Sequence, residues 1–397
     1  MDSSSQAYSY FQEARDSRKH SLTFNLNQHF ASNTLTGSLV LDYANGKFLT
    51  EELKEENIAN FSDRQIRLGE MLQTGFRLEN RLGDSRYFWS VELAEHLFYE
   101  SKFHNDIFVL IFKGNKPFEN DTASLNPLQI RTMQYATAKM GLRRSGTRFS
   151  WHVRAGWVGG QRLLDLKTAK GELYTGEFGR SVSLNLKLRS LEQEKSPESL
   201  VDFSGMGLVT DAGVQYTLGA NTLIHAGMEG LGFIRWNRNM RERRVDTSAY
   251  FEGVEISNIL DSFSIAIKDV EELKSSYIKE SSGIAESTRL PVYYHLGFSQ
   301  FFLDKRFQLQ GRIGFLDSKL TQMFYGSSVN IYFGRNLLAG VTMDGGGYGG
   351  MNLGVQLAWN VADRLFMQAA FHSVNSLVDP KGPFSLKGGL SLGYSWN

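Results

Sequence analysis

Hydrophobic and polar positions alternate with a period of two along much of this chain. Between Phe384 and Trp396, Phe384, Leu386, Leu390, Leu392, Tyr394 and Trp396 fall on one face, and Ser385, Lys387, Ser391 and Ser395 on the other. Successive side chains of a strand point to opposite faces, so the segment predicts a strand that is greasy on one side and polar on the other. The pattern recurs at Leu22, Phe24 and Leu26, at Leu35, Gly37, Leu39, Leu41 and Tyr43, and at Phe149, Trp151, Val153, Ala155 and Trp157. It returns at Val182, Leu184, Leu186 and Leu188, at Phe307, Leu309, Ile313 and Phe315, and at Met351, Leu353, Val355, Leu357 and Trp359. Several of these segments run for about ten residues, the length a tilted strand needs to cross a bilayer. Strands of a soluble sandwich average roughly five or six.

Short polar turns join neighbouring segments at Gly83-Asp84, Arg144-Ser145-Gly146, Asp304-Lys305, Gly334-Arg335-Asn336 and Asn360-Val361-Ala362-Asp363. Long connections are expected over 100–130, 160–180 and 229–290, and a turn at 217–221 falls on the wrong parity. Short turns alternating with long loops are the outer-membrane barrel pattern. The expected fold is therefore all-β, an antiparallel transmembrane β-barrel of about 14 strands, with 16 as the alternative count. A polar arm over 1–20 precedes a single barrel over 21–397, with a long excursion at 229–290. Within that excursion Ile259, Leu260, Phe263, Ile267, Val270 and Leu273 follow helical spacing, which predicts a short helix over 257–280, in a long loop or plug.

Composition narrows the function classes. The net charge is +1, which gives no electrostatic case for nucleic acid. Cysteine is absent, so disulfides, thiolate metal sites and cysteine nucleophiles are excluded. Only 6 prolines interrupt the chain, which suits long ladders. No apolar run is long enough for a membrane helix. The polar start, Met1-Asp2-Ser3-Ser4-Ser5, lacks a signal peptide, so an exported protein is expected here in its mature form.

The candidate chemistry is sparse. Asp344-Gly345-Gly346-Gly347-Tyr348-Gly349-Gly350 lacks the Gly-Lys-Ser/Thr of a phosphate loop and reads as a flexible turn between strands. His20, His29, His96, His104, His152, His225, His295 and His372 are scattered, with no zinc-helix spacing. Ser150 and His152 share a polar strand face and read as a lumenal hydrogen-bonding pair. Glu92 and Glu95 point to opposite faces, one lumenal and one interfacial, which does not suit paired acid–base work. Arg235, Arg238, Arg241, Arg243 and Arg244 form a basic cluster that reads as a solvated loop partly balanced by Glu242. No catalytic residue, cofactor or metal ligand is expected, and the chain is read as a non-enzyme. Tyr394 and Trp396 are the expected membrane-assembly signal, with Asn397 following the terminal aromatic. Trp151, Trp157 and Trp359 are expected in an aromatic girdle at the membrane interface.

Three segments in order, Ile107–Lys116, Gly230–Asn237 and Phe251–Ser257, resemble an uncharacterised family of outer-membrane barrel proteins from Bacteroidota. The resemblance implies a barrel akin in architecture to the fatty-acid-transporter-like barrels, which include accessory subunits of the type 9 secretion system. It carries over no binding or catalytic residue. The expected location is the bacterial outer membrane, with membrane lipid and other envelope proteins as partners and no nucleic acid. Two functions are weighed: a non-enzymatic subunit of a multi-protein envelope complex, and a passive transporter of small hydrophobic or amphipathic solutes.

Overall fold

The computed structural model describes residues 18–61, 65–193, 199, 201–252, 278–318, 320–334, 336–361 and 364–397. In chain order the strands begin with β1 (His20–Thr36), β2 (Gln65–Arg81), β3 (Tyr87–His104), β4 (Asp121–Ser124), β5 (Leu128–Arg144) and β6 (Phe149–Thr175). They continue with β7 (Ser181–Gln193), β8 (Gly205–Leu218), β9 (Thr222–Trp236), β10 (Met240–Glu252), β11 (Ile278–Ser282), β12 (Glu286–Arg289) and β13 (Tyr293–Phe302). The last are β14 (Phe307–Leu316), β15 (Phe324–Phe333), β16 (Leu337–Gly346), β17 (Gly349–Val361), β18 (Leu365–Phe371) and β19 (Pro383–Trp396). Among the described residues four α-helices sit between them: α1 (Gly37–Ala44), α2 (Glu51–Ala59), α3 (Asn105–Lys113) and α4 (Val374–Val378).

Fourteen of these strands close into an antiparallel barrel. The ring runs β1, β2, β3, β5, β6, β8, β9, β13 and then β14 through β19. It closes where β19 pairs with β1, from His20↔Trp396 to Ala31↔Ser385. The His20↔Trp396 end of this seam lies at the rim that carries the short turns 82–86, 145–148, 219–221 and 303–306. The helices and the longer segments lie at the opposite rim.

The parity problem at 217–221 disappears because β6 serves two partners. Its first half pairs with β8 and its last part with β7. β7 and β8 thus continue one another along the same edge, and the β8–β9 turn falls on the short-turn rim. β10 pairs with β7 and β11 pairs with β10, so a raised sheet grows out of the β6 edge above the ring. The described parts of the 229–290 excursion begin inside strand β9, continue into this sheet and lie on the long-loop rim. The segment 160–180, expected as a loop, is instead mostly the upper part of β6. The Arg235–Arg244 cluster, Arg238 in the 237–239 turn apart, is also strand at the end of β9 and the start of β10, where Arg241 and Arg243 pair with Glu192 and Glu280. Of the helix expected over 257–280, residues up to 277 lie outside the described residues, and Ile278–Glu280 belong to β11.

A second correction concerns residues 37–44, whose alternation predicted a strand. They form α1. The β1–β19 ladder breaks after Ala31, so this segment has no strand partner. The Thr36 hydroxyl accepts from Leu39 N at 3.3 Å, capping the helix. Leu39 and Leu35 then pack with Ile66 and Phe108. Leu35, Leu39 and Tyr43 satisfy a four-residue repeat as well as a two-residue one, and the tertiary context chooses the helix. The apolar run after His104 is likewise a helix, α3, whose first turn donates Asp106 N to His104 Nδ1 at 3.2 Å.

The outer face of the ring is apolar. Val329, Val341 and Val355 stand side by side on β15, β16 and β17, and all three are exposed. Higher on β1, β2, β3 and β5 the outward face becomes mixed: Gln28, Thr74, Glu95 and Gln134 stand among Phe30, Leu72 and Leu97, and Glu95 accepts from Gln134 at 3.1 Å and from Gln161 at 3.3 Å. β3 has 18 residues and β14 has 10, so β3 is roughly 25 Å longer at ~3.3 Å per residue, and with the usual strand tilt one wall stands roughly 20 Å taller than the other.

Candidate functional site: the barrel lumen

Inward positions fill the lumen in three layers. Nearest the short-turn rim lies an amide cluster. Tyr332 donates to Gln308 Oε1 at 2.6 Å, and Asn330 donates to the same oxygen at 3.2 Å. Ser328 donates to Gln310 at 2.9 Å, and Gln356 donates to Asn330 at 2.5 Å. Across the lumen, Arg143 pairs with Glu79 at 2.6 Å and lies over the Phe88 ring at 4.1 Å. Each of these residues has a side-chain partner, as burial requires, although Gln308 Nε2 and Gln356 Oε1 are buried without one.

The middle layer holds two ion-pair networks. Glu92 receives Arg77 at 2.6 Å, Lys139 at 2.7 Å and Arg154 at 3.1 Å. Lys139 also reaches Asp211 at 2.6 Å, and Arg154 reaches it at 3.5 Å. In the second network Asp344 meets Arg312 at 2.5 Å, His372 at 2.7 Å and Lys387 at 3.2 Å. Cross-strand register makes both networks: Arg77↔Glu92↔Lys139 are direct neighbours on three adjacent strands.

The upper layer is apolar. Phe98, Met133, Tyr135, Val158, Leu163, Val209, Ile234, Trp236, Leu316 and Phe324 pack together, with Met71 and Tyr293 against them. His96 stacks on Tyr135 with ring centroids 4.7 Å apart. Between the charged and apolar layers lies a cavity of about 130 Å³, lined on one side by Arg77, Lys139, Arg154 and Lys387 and on the other by Phe98, Tyr135, Tyr293 and Leu316.

Six of the eight histidines scattered in sequence face the lumen, His20 and His104 being the exceptions. His29, His96 and His372 line the cavity, His225 and His295 face each other at 5.9 Å, and His152 lies 3.5 Å from Arg154. Alternation placed them inward, but strand order was needed to gather them. Among the described residues no group of three or more His, Asp or Glu side chains is arranged to hold a metal ion. Ser150 Oγ bonds to Gly146 backbone atoms, whereas His152 contacts Arg154, so the two form neither the hydrogen-bonding pair expected from the sequence nor a nucleophile–base pair.

Of the five residues expected as assembly signal or aromatic girdle, none lies in the lumen. Tyr394, Trp157 and Trp359 are exposed on the outer face. Trp396 stacks between His20 and Tyr394 at 5.5 and 5.8 Å, on the closing seam. Trp151 contacts Tyr87 at 6.5 Å near the short-turn rim, and Trp359 pairs with Leu337 at the same rim. Trp157 sits further up β6, opposite Leu208. Replacing Trp396 with Ala removes both stacking contacts at the seam. The expected outcome is reduced barrel assembly, read as a smaller heat-modifiable fraction on a gel; wild-type assembly would remove Trp396 from the assembly signal.

The family model for DUF5723, a family of unknown function, matches residues 19–367. The chain belongs to this family. No curated protein matches it. Among solved structures, the deltaS2S3 mutant of the monoaromatic hydrocarbon channel TodX is similar at a TM-score of 0.50 and 8% identity, with 96% of this chain and 91% of that chain covered. The Pseudomonas putida toluene transporter TodX gives 0.46 at 8% identity, covering 96% and 89%. A Pseudomonas aeruginosa FadL homologue gives 0.44 at 9% identity, covering 96% and 91%. At such identities the likeness shows the fold, that of outer-membrane channels. The DUF5723 description names no activity, and the reading as a secretion subunit gains no support from it.

Proposed function

We propose that this protein is an outer-membrane barrel that passes a small hydrophobic or amphipathic solute, with the lumen cavity as its binding station. The observation that carries this reading is the cavity itself. Its volume of about 130 Å³ is close to the roughly 150 Å³ of an apolar cavity that holds one benzene ring. One wall is aromatic and aliphatic, while the other offers cations and amides, which suits a solute with an apolar body and a polar end. The apolar outer face and the fold shared with hydrocarbon channels support the membrane setting. No observation of this kind favours the alternative, a subunit of an envelope complex.

Trp236 is fully buried in the apolar layer, whereas Trp89, Trp157 and Trp359 are exposed on the outside. Titrating toluene, or a short-chain amphiphile, into detergent-purified protein is expected to give a saturable change in tryptophan emission. Trp236→Phe is expected to abolish that change. A linear, unsaturable response identical in both proteins would refute the reading.

A further inference from the structure

The run Asp344–Gly350 reads in the sequence as a flexible turn, yet the β16–β17 tip folds into the mouth of the lumen. Tyr348 sits at a hairpin tip and is only 1% exposed. Its ring lies where a side chain at position 69 would be: a Cβ on Gly69 would come within 2.2 Å of it. Its hydroxyl donates to Glu100 Oε2 on β3 at 3.2 Å. β3 stands across the lumen, separated from β17 by β18, β19, β1 and β2. The adjoining segment after β14 reaches the same anchor. Ser318 donates to the Glu100 carboxylate, and Gln322 N donates to Gly347 O at 3.0 Å. His29 lies 6.5 Å from the Tyr348 ring and 5.8 Å from Phe324.

The tip's backbone is built for this inward fold. Gly346 and Gly347 take φ of +83° and +71°, a region that side-chain-bearing residues rarely adopt. Gly349 packs against Ala31 on β1, where its added Cβ would lie 3.0 Å from the alanine methyl. Directly beneath are Met71, His29 and Tyr293, all lining the cavity. A tip that stayed over solvent would have no need of a glycine at 69 or of a buried carboxylate across the mouth.

We propose that the β16–β17 tip is a latch over the solute cavity, with Tyr348 as its gating residue and Glu100 as its catch. The proposal rests on reading the lumen as a solute site. It adds that solute enters or leaves at the long-loop rim only when Tyr348 withdraws from its seat over Gly69.

The absence of cysteine makes the test direct. Met71→Cys places a single thiol beneath the latch, and a membrane-impermeant maleimide measures its accessibility. Adding Tyr348→Ala is expected to raise the labelling rate about tenfold, as removing a ligand-like bias shifts a two-state equilibrium. Adding Gly69→Ala instead, which expels the ring without altering Tyr348, is expected to act in the same direction, and Tyr348→Phe to act less. Heat-modifiable gel mobility identifies the variants that fold. In a separate variant, Ala31→Cys with Gly349→Cys, an oxidised disulfide is expected to lower single-channel conductance and reduction to restore it. Labelling unchanged in both Tyr348→Ala and Gly69→Ala overturns the latch, whatever binds below. Faster labelling without a saturable Trp236 signal upholds the latch and removes the solute reading instead.

Discussion

Replacing Glu92 with alanine is expected to destabilise the folded barrel by about 3–5 kcal/mol, the penalty for removing one partner of a buried ion pair. Glu92 is 5% exposed and answers three cations, Arg77, Lys139 and Arg154. Without it, Asp211 alone must balance Lys139 and Arg154, and Arg77 loses its 2.6 Å partner. The effect therefore arises less from a lost attraction than from stranded charge in a low-dielectric interior. A companion variant separates the two: Glu92→Leu combined with Lys139→Met removes an anion and a cation together. It is expected to recover part of the loss, because well-packed apolar replacements of a buried pair are often neutral or better. Denaturant unfolding in lipid vesicles measures both. Equal stability of wild type and Glu92→Ala would mean that water, rather than the carboxylate, neutralises this layer.

Val341→Arg is expected to destabilise the barrel in a bilayer by about 2–4 kcal/mol, the range for arginine on a lipid face near the midplane. Val341 lies midway along β16, flanked by Val329 and Val355, and is 60% exposed. On a water-exposed surface the same change stays within about ±0.5 kcal/mol. The substitution thus discriminates between lipid and water as the solvent of this face. A neutral outcome in vesicles would place the valine row in water and overturn the membrane reading. Arginine at Lys387, on the inward face, is no substitute for this test, since that site already holds a cation beside Asp344.

The wall of the barrel was legible because lipid and lumen impose opposite polarity on alternate residues. The segments at Leu22, Phe307 and Met351 carried that signal, and so did the short turns between them. The lumen was not legible. Glu92, Lys139 and Asp211 are distant in sequence, and only the register of β3, β5, β6 and β8 brings them together. Trp236 was visible as an aromatic but not as an inward one, since a bulge at Glu229–Gly230 in β9 shifts the alternation by one residue. The helix at 37–44 was misread as strand because leucines spaced by four also fit a period of two. The long loop expected at 160–180 was misread because charged residues there, such as Lys167 and Lys170, stand on a strand above the apolar belt. Polarity marked the end of the belt, not the end of the strand.

The seam between β1 and β19 carries a kinetic consequence. Its partners, from Ser21↔Ser395 to Ala31↔Ser385, are nearly a whole chain apart. Closing so long a loop is entropically unfavourable, although that penalty grows only logarithmically with length. Neighbouring hairpins such as β14–β15 join over far shorter spans and can zip early. The seam is then the last ladder to form, and until it does β1 and β19 are both open edges able to pair with another chain. Whatever holds those two edges apart from other strands during assembly decides whether the ring closes on itself.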